Sequence, residues 1–207
     1  MKNKFKKILI ASNNHGKITE ISSLLNILNI EAISPLNFNL EEPIEDGADF
    51  AENAMIKARF YGDKTNLIAL ADDSGLCIEA LDNQPGIHSA RFAIDENGNK
   101  NFPLAFKKIF QQLQNRGVNS SINAKAFFVC ALCLYDPKTK FYKNFIGKVD
   151  GNISFQAIGN NGFGYDPIFI KNGMTQTFGQ IDAKEKDQIS HRYFAFQDFK
   201  KWLTESE

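Results

Sequence analysis

Residues 7–11 (KILIA) form an apolar run of strand length, and a different period takes over soon after it. Ile21, Leu24, Leu25 and Leu28 recur at spacings of three and four, which puts them on one face of a helix. The same switch between strand-like and helix-like patterning returns along the chain. Helices are expected at about 18–28, 49–61, 103–114 and 192–203, and strands at 67–71, 76–80, 126–135 and 141–147. The last two strands read as a hairpin around Asp136-Pro137. Segments 34–45 and 160–167 read as loops, the second rich in glycine. Strands alternating with helices indicate an α/β fold. A chain of 207 residues suits one domain, or one domain with a cleft between two lobes, and 1–207 is read as a single domain.

Charge narrows the function classes. With 24 basic and 24 acidic side chains the formal net charge is zero. That argues against a protein whose main business is coating nucleic acid, but leaves room for a small anionic ligand held by a few placed cations. No stretch approaches the ~18 uncharged apolar residues of a membrane span. The start of the chain lacks a signal-peptide core. Cys77, Cys130 and Cys133 are an odd set without a second Cys or His pair for zinc. On a strand, Cys130 and Cys133 point to opposite faces, so they read as buried thiols. These features give the expectation of a cytoplasmic, reducing location. The 19 phenylalanines show no period and read as core.

Several segments carry groups that can do chemistry. Ser12, Asn13, Asn14, His15, Gly16 and Lys17 join a strand to a helix, where unpaired N–H groups and a lysine suit a phosphate. A polar turn with Ser12 as the helix cap accounts for the same residues. At ~100° per residue, Lys57 falls opposite the wet side marked by Glu52 and Arg59 on the second helix. A lysine there must snorkel, pair with a carboxylate or face an anionic ligand. Asp72, Asp73, Ser74 and Gly75 follow an apolar strand, the end at which open α/β sheets bind ligands. Adjacent carboxylates repel, and a hard cation such as Mg²⁺ or Mn²⁺ between them is one resolution, with Glu45 or Asp46 as a further ligand. An ordinary acidic turn is the other. Phe163, Gly164, Tyr165 and Asp166 combine a flexible backbone with rings that can stack on a flat ligand. Lys186, His191 and Arg192 surround the start of the last helix and suit a phosphate or a base edge, or a solvated cap. Walker A, G-x-S-x-G and G-x-G-x-x-G patterns are absent.

Taken in order, these segments resemble the non-canonical purine NTP pyrophosphatase family, the ITP/XTP pyrophosphatases. The matching pieces are 12–17 with Glu20, 45–47 with Phe50, and 52–54 with 57–59. They continue with 71–76, 85–87, 89–92, 162–169 (GFGYDPIF) and 189–192 (ISHR). The resemblance implies an α/β fold with an elongated mixed sheet flanked by helices, two lobes and a central active-site cleft. It implies Mg²⁺-dependent hydrolysis of ITP, dITP and XTP to the monophosphate and pyrophosphate, one ion per subunit with Mn²⁺ as the alternative. It also implies a homodimer in the cytoplasm, with a nucleoside triphosphate as partner and neither nucleic acid nor membrane.

Residue by residue, the resemblance makes Asp73, Lys57 and Asp72 catalytic, with Glu45 and Asp73 as metal ligands. It gives the triphosphate to Ser12, Asn13, Asn14, His15, Gly16 and Lys17, and a substrate contact to Ser74. The base falls to Phe163, Gly164, Tyr165 and Asp166, with Lys186, His191 and Arg192 selecting a 6-oxo purine. The chain departs from the family pattern at His15, Gly16, the segment 92–102, Asn160-Asn161 and Tyr193. The alternatives are a Maf-type pyrophosphatase acting on pyrimidine or modified nucleotides, whose arginine-rich opening loop is missing here, and a nucleotide-binding protein without turnover.

Overall fold

The computed structural model describes residues 5–205. In chain order the elements are β1 (Lys7–Ala11), α1 (His15–Ile27), β2 (Glu31–Ile33), α2 (Phe50–Thr65) and β3 (Ala69–Ile78). There follow β4 (Gln84–Pro85), α3 (Ser89–Phe92), α4 (Phe102–Asn115), β5 (Lys125–Tyr135) and β6 (Tyr142–Ile153). The chain ends with β7 (Phe169–Lys171), α5 (Ala183–Ile189) and α6 (His191–Glu205). The described strands form one seven-stranded sheet in the order β2-β1-β3-β5-β6-β7, with β4 on β3. β1 runs parallel to β2 and β3, whereas β6 and β7 are antiparallel, so the sheet is mixed. The α/β fold expected from the alternation is the observed one, and its sheet is mixed, as the resemblance implies.

Two compact units share this sheet. Unit 1 holds the residues through 73, 130–147 and those from 192 on; unit 2 holds 74–129 and 148–191. In unit 1 the strands are covered on both faces, and strand parity sorts the side chains. Ile8, Ile10, Leu70, Cys130, Leu132 and Leu134 pack with Ile21 and Leu25 of α1 and Phe196 and Phe199 of α6. Leu9, Ala11, Ala69, Ala71, Ala131 and Cys133 pack with Ala54, Ala58 and Tyr61 of α2. Cys130 and Cys133 therefore do face opposite sides. In unit 2, Leu76, Ile78, Phe128 and Phe169 pack with Ala105, Phe106, Ile109 and Leu113 of α4.

The boundaries that differ from expectation matter for the site. Strand β3 does not stop at Ala71 but continues to Ile78, absorbing the separate strand expected at 76–80. Helix α1 begins at His15, with Asn14 and not Ser12 as its cap: the Asn14 side chain accepts from the Lys17 N–H at 3.2 Å. Ser12 instead accepts from the Asn14 N–H at 3.2 Å. Strand β6 runs on to Ile153, and the expected turn is present, with the Asp136 N–H donating to the Phe141 carbonyl at 2.9 Å. Among the described residues no helix is long and apolar enough to cross a membrane.

Candidate active site

The α2 wheel is realised: Asn53, Ala54, Lys57, Ala58, Tyr61 and Gly62 are buried. The helix starts where it does because Asp49 accepts from the Glu52 N–H at 2.8 Å while Glu52 accepts from the Ala48 N–H at 2.8 Å, a reciprocal cap. The preceding loop is tied to the same turn, with the Gly47 N–H donating to Asn53 Oδ1 at 2.9 Å. A Cβ at Gly47 would stand 2.9 Å from the Asn53 nitrogen and 2.8 Å from Glu52 Cβ, so the close approach requires glycine. This clamp sets Glu45 over Lys57.

Lys57 Nζ lies 2.7 Å from Asp73 Oδ1 and 3.1 Å from Glu45 Oε2. Of the readings open in the sequence, the carboxylate-paired lysine is the one observed. Burial alone would lower the Lys57 pKa, but Asp73 and Glu45 outweigh it and the net direction is up. Asp73 moves up as well, because burial penalises its charge more than Lys57 and Lys17 favour it. Its second oxygen, Oδ2, is buried without a hydrogen-bond partner.

Asp72 answers to a different set of groups. Because β3 continues through both acids, parity turns Asp72 toward α1 and α6 and Asp73 toward α2. Each carboxylate has its own protein cations. Asp72 Oδ1 is 2.6 Å from Lys17 Nζ, and Oδ2 is 2.7 Å from Arg192 Nε. Arg192 also pairs with Glu20. Burial would raise the Asp72 pKa, but Arg192 and Lys17 hold it well below the usual carboxylate range. The Asp72 and Arg192 side chains are 0% and 1% exposed. Neither Cys130, whose thiol donates to Asp72 Oδ2 at 3.1 Å, nor the pairing of Glu20 was read from the sequence. For Glu20 a signal existed: it lies three residues after Lys17, on the same helical face.

Unit 2 gathers a second group. Lys186 Nζ is 2.6 Å from Asp166 Oδ2, both side chains are buried, and the Lys186 ammonium stands 4.6 Å from the Phe163 ring centroid. The Phe163 N–H donates to the same Asp166 oxygen at 2.8 Å. Gly162 has φ +70°, and a Cβ there would sit 2.1 Å from Asp166 Oδ2, so the turn admits only glycine. Gly164 also has positive φ. Tyr165 is turned into the core, its hydroxyl donating to the Ser89 carbonyl at 2.8 Å and its ring edge-on to Phe102. His191 stacks on Phe128, with centroids 4.7 Å apart. Phe163, Asp166 and Lys186 are thus brought together, whereas Arg192 is committed to Asp72 and Glu20 in unit 1. Asn13, Asn14, Gly16 and Ser74 are half-buried and His15 is exposed.

Among the described residues no three His, Cys, Asp or Glu side chains form a metal cluster. Glu45 and Asp73 still fit a hard divalent ion. They converge on one ammonium, and Asp73 keeps a buried oxygen with no hydrogen bond. Mg²⁺ commonly takes one or two protein carboxylates and completes its shell with water and substrate phosphates.

Comparison with known proteins identifies the family. The model of the Ham1 family matches residues 8–202. A dITP/XTP pyrophosphatase from Zymomonas mobilis is 46% identical over 191 residues, covering 92% of this chain and 88% of that one. One from Mesorhizobium japonicum is 40% identical, covering 94% and 91%. Among solved structures, a HAM1 protein from Coxiella burnetii superposes with a TM-score of 0.84 at 36% identity, over 96% of this chain and 98% of that chain. The Ham1 protein of Staphylococcus aureus gives 0.81 at 35%, over 98% and 100%. Matched by the family model over nearly its whole length and by relatives at 40–46% identity, the chain belongs to the Ham1 family.

Proposed function

We propose that this chain hydrolyses non-canonical purine nucleoside triphosphates, ITP, dITP and XTP, to the monophosphate and pyrophosphate, clearing deaminated purines from the nucleotide pool. The observation that carries the reading is the Glu45–Lys57–Asp73 bridge, with Lys17 held beside it on Asp72. Cations and a carboxylate with one bare buried oxygen are what cleavage of a phosphoanhydride needs. Relatives named dITP/XTP pyrophosphatase at 46% and 40% identity support the substrate class.

In this reading Lys17 and the turn at Ser12, Asn13 and Asn14 bind the triphosphate. Lys57 leaves its carboxylate partners for a phosphate oxygen. Asp73 accepts the proton of the attacking water. Glu45 and Asp73 would hold Mg²⁺, which when bound withdraws charge from the phosphates and acidifies water. Phe163 supplies a ring face to the purine, and Lys186 and His191 supply donors for a 6-oxo group. Adenine offers an amino group at that position and would leave such donors unsatisfied. Support for a homodimeric cytoplasmic enzyme comes from the family resemblance, and light scattering tests the first.

The test is a pyrophosphate-release assay with Mg²⁺ on ITP, dITP and XTP against ATP, GTP, CTP and UTP, with the nucleotide product identified by chromatography. Release of pyrophosphate and IMP from ITP, with little from ATP or GTP, is expected. Turnover confined to pyrimidine or modified nucleotides would move the chain to the Maf-type activity. Silence on every nucleotide would leave a binding protein.

A further inference from the structure

Cys130 has no part in the chemistry above, yet its thiol touches the carboxylate that holds Lys17. It lies on β5 facing the same side as Asp72 of the neighbouring β3, and it is fully buried. Its Sγ stands 3.1 Å from Asp72 Oδ2, the oxygen that also receives Arg192 Nε at 2.7 Å. The opposite oxygen receives Lys17 at 2.6 Å. Rotation about the last torsion of an aspartate is soft, with no sharp staggered wells. Two donors converging on Oδ2 from α6 and β5 fix the plane of this carboxylate and so the direction in which Oδ1 faces. Lys17 has a flexible stem and a point charge; it reaches the Asp72 backbone carbonyl at 3.4 Å, but the carboxylate oxygen at 2.6 Å is the closer and charged acceptor, so where that oxygen faces sets where the ammonium points. The other strand thiol behaves differently: Cys133 donates across a long 3.7 Å contact to the Leu134 carbonyl beside it and reaches no carboxylate among the described residues.

We propose that Cys130 is a positioning residue: by donating its thiol proton to Asp72 it fixes the carboxylate that aims Lys17 at the substrate's phosphates. The proton stays on sulfur throughout, and no bond is made or broken. This inference rests on the phosphate-binding role of Lys17 in the proposed function.

The experiment compares wild type with Cys130→Ala, which lacks the donor, and Cys130→Ser, which keeps one. Affinity for inorganic tripolyphosphate is read by calorimetry, KM and kcat are measured on ITP, and the S–H stretch is recorded in the infrared. Cys130→Val replaces the alanine variant if that chain does not fold. We expect the alanine variant to bind tripolyphosphate about fivefold more weakly and to raise KM by a like factor, since a bond to a charged group is lost. The kcat should hold, because ground state and transition state lose the same contact. The serine variant should stay within about twofold of wild type. The S–H band that disappears in both variants should lie below that of Cys133. An alanine variant with wild-type tripolyphosphate affinity, equal losses in alanine and serine variants, or a Cys130 band at the Cys133 position would overturn the proposal. If wild type fails to turn over ITP, the enzymatic reading falls, while the tripolyphosphate titration and the band still decide the positioning.

Discussion

Removing the Asp72 carboxylate would take the fully buried one of its two carboxylates from Arg192, itself 1% exposed, and leave only the half-buried Glu20 to balance it, while Lys17 loses its carboxylate partner too. Breaking a buried pair from one side costs about 3–5 kcal/mol, far above the median of roughly 0–1 kcal/mol for exposed pairs. Asp72→Asn should therefore lower the free energy of urea unfolding by that larger amount. Asp82→Asn, which breaks a surface pair with Arg116 at 3.0 Å, should be nearly silent. Equal effects would show that the Asp72 network adds nothing to the fold. Asp73 is tested through activity. Its Asn variant, which leaves Lys57 with Glu45, should lose about 10²–10⁴-fold in pyrophosphate release, the usual scale for a lost general base; near wild-type turnover in the folded variant would remove Asp73 from the proton transfer. The thiols give a prediction with pH. Burial pushes Cys77 up to about 11 and Cys133 up to about 12. Only the thiolate reacts, and at pH 8 roughly one in a thousand Cys77 groups carries it. A thiol reagent should thus find the native chain nearly inert at pH 8 and faster as pH rises toward 11, with urea releasing three reactive cysteines. A native thiol reacting at the speed of free cysteine at pH 8 would contradict the burial argument.

At the scale of elements, the turn before α2 decides the geometry of Glu45. Gly47→Ala would press a methyl group against the Asn53 nitrogen and Glu52 Cβ, both closer than 3.0 Å. The loop must then lift from the helix, and the Asn53 acceptor loses the Gly47 N–H. Overpacking of this kind costs about 1–3 kcal/mol locally. If Glu45 holds Mg²⁺ as proposed, the expected outcome is a half-saturating Mg²⁺ concentration several-fold higher, with a melting temperature lowered by a few degrees; an unchanged Mg²⁺ titration would free Glu45 from this clamp. The burial of Lys57 was legible in advance because helical period alone places it opposite Glu52 and Arg59. The separation of Asp72 from Asp73 was not, because Asp-Asp-Ser-Gly reads as a strand ending, whereas pairing of Cys77 and Ile78 with β4 carries the strand onward. Helix α5 escaped notice for a related reason: AKEKDQI is polar almost all round, and its start is marked mainly by the Asp182 cap. The partners of Arg192 lie 120 and 172 residues away, beyond any local pattern.

At the scale of the whole molecule, neither unit is a continuous piece of chain. Strand β3 gives Ala69, Leu70 and Ala71 to the cores of unit 1 and Leu76 and Ile78 to the core of unit 2. Strand β5 gives Ala126 and Phe128 to unit 2 and the run from Cys130 to Tyr135 to unit 1. Strand β6 gives Phe145 to unit 1 and Val149 and Ile153 to unit 2. Losing either core would leave half of each of these three strands without its packing, so the backbone that supports one core is also backbone of the other. Unfolding should then be a single cooperative transition despite the two units. The sole tryptophan makes this directly measurable, since Trp202 packs against Phe145 and Phe199 and reports on unit 1 alone. Helix α4 belongs to unit 2, and the far-ultraviolet circular dichroism sums helices from both. Urea curves followed by Trp202 fluorescence and by circular dichroism should share one midpoint and one slope. A fluorescence transition that precedes or follows the loss of ellipticity would mean that the strands can be divided at Asp73 and Cys130, and that each core holds its half alone.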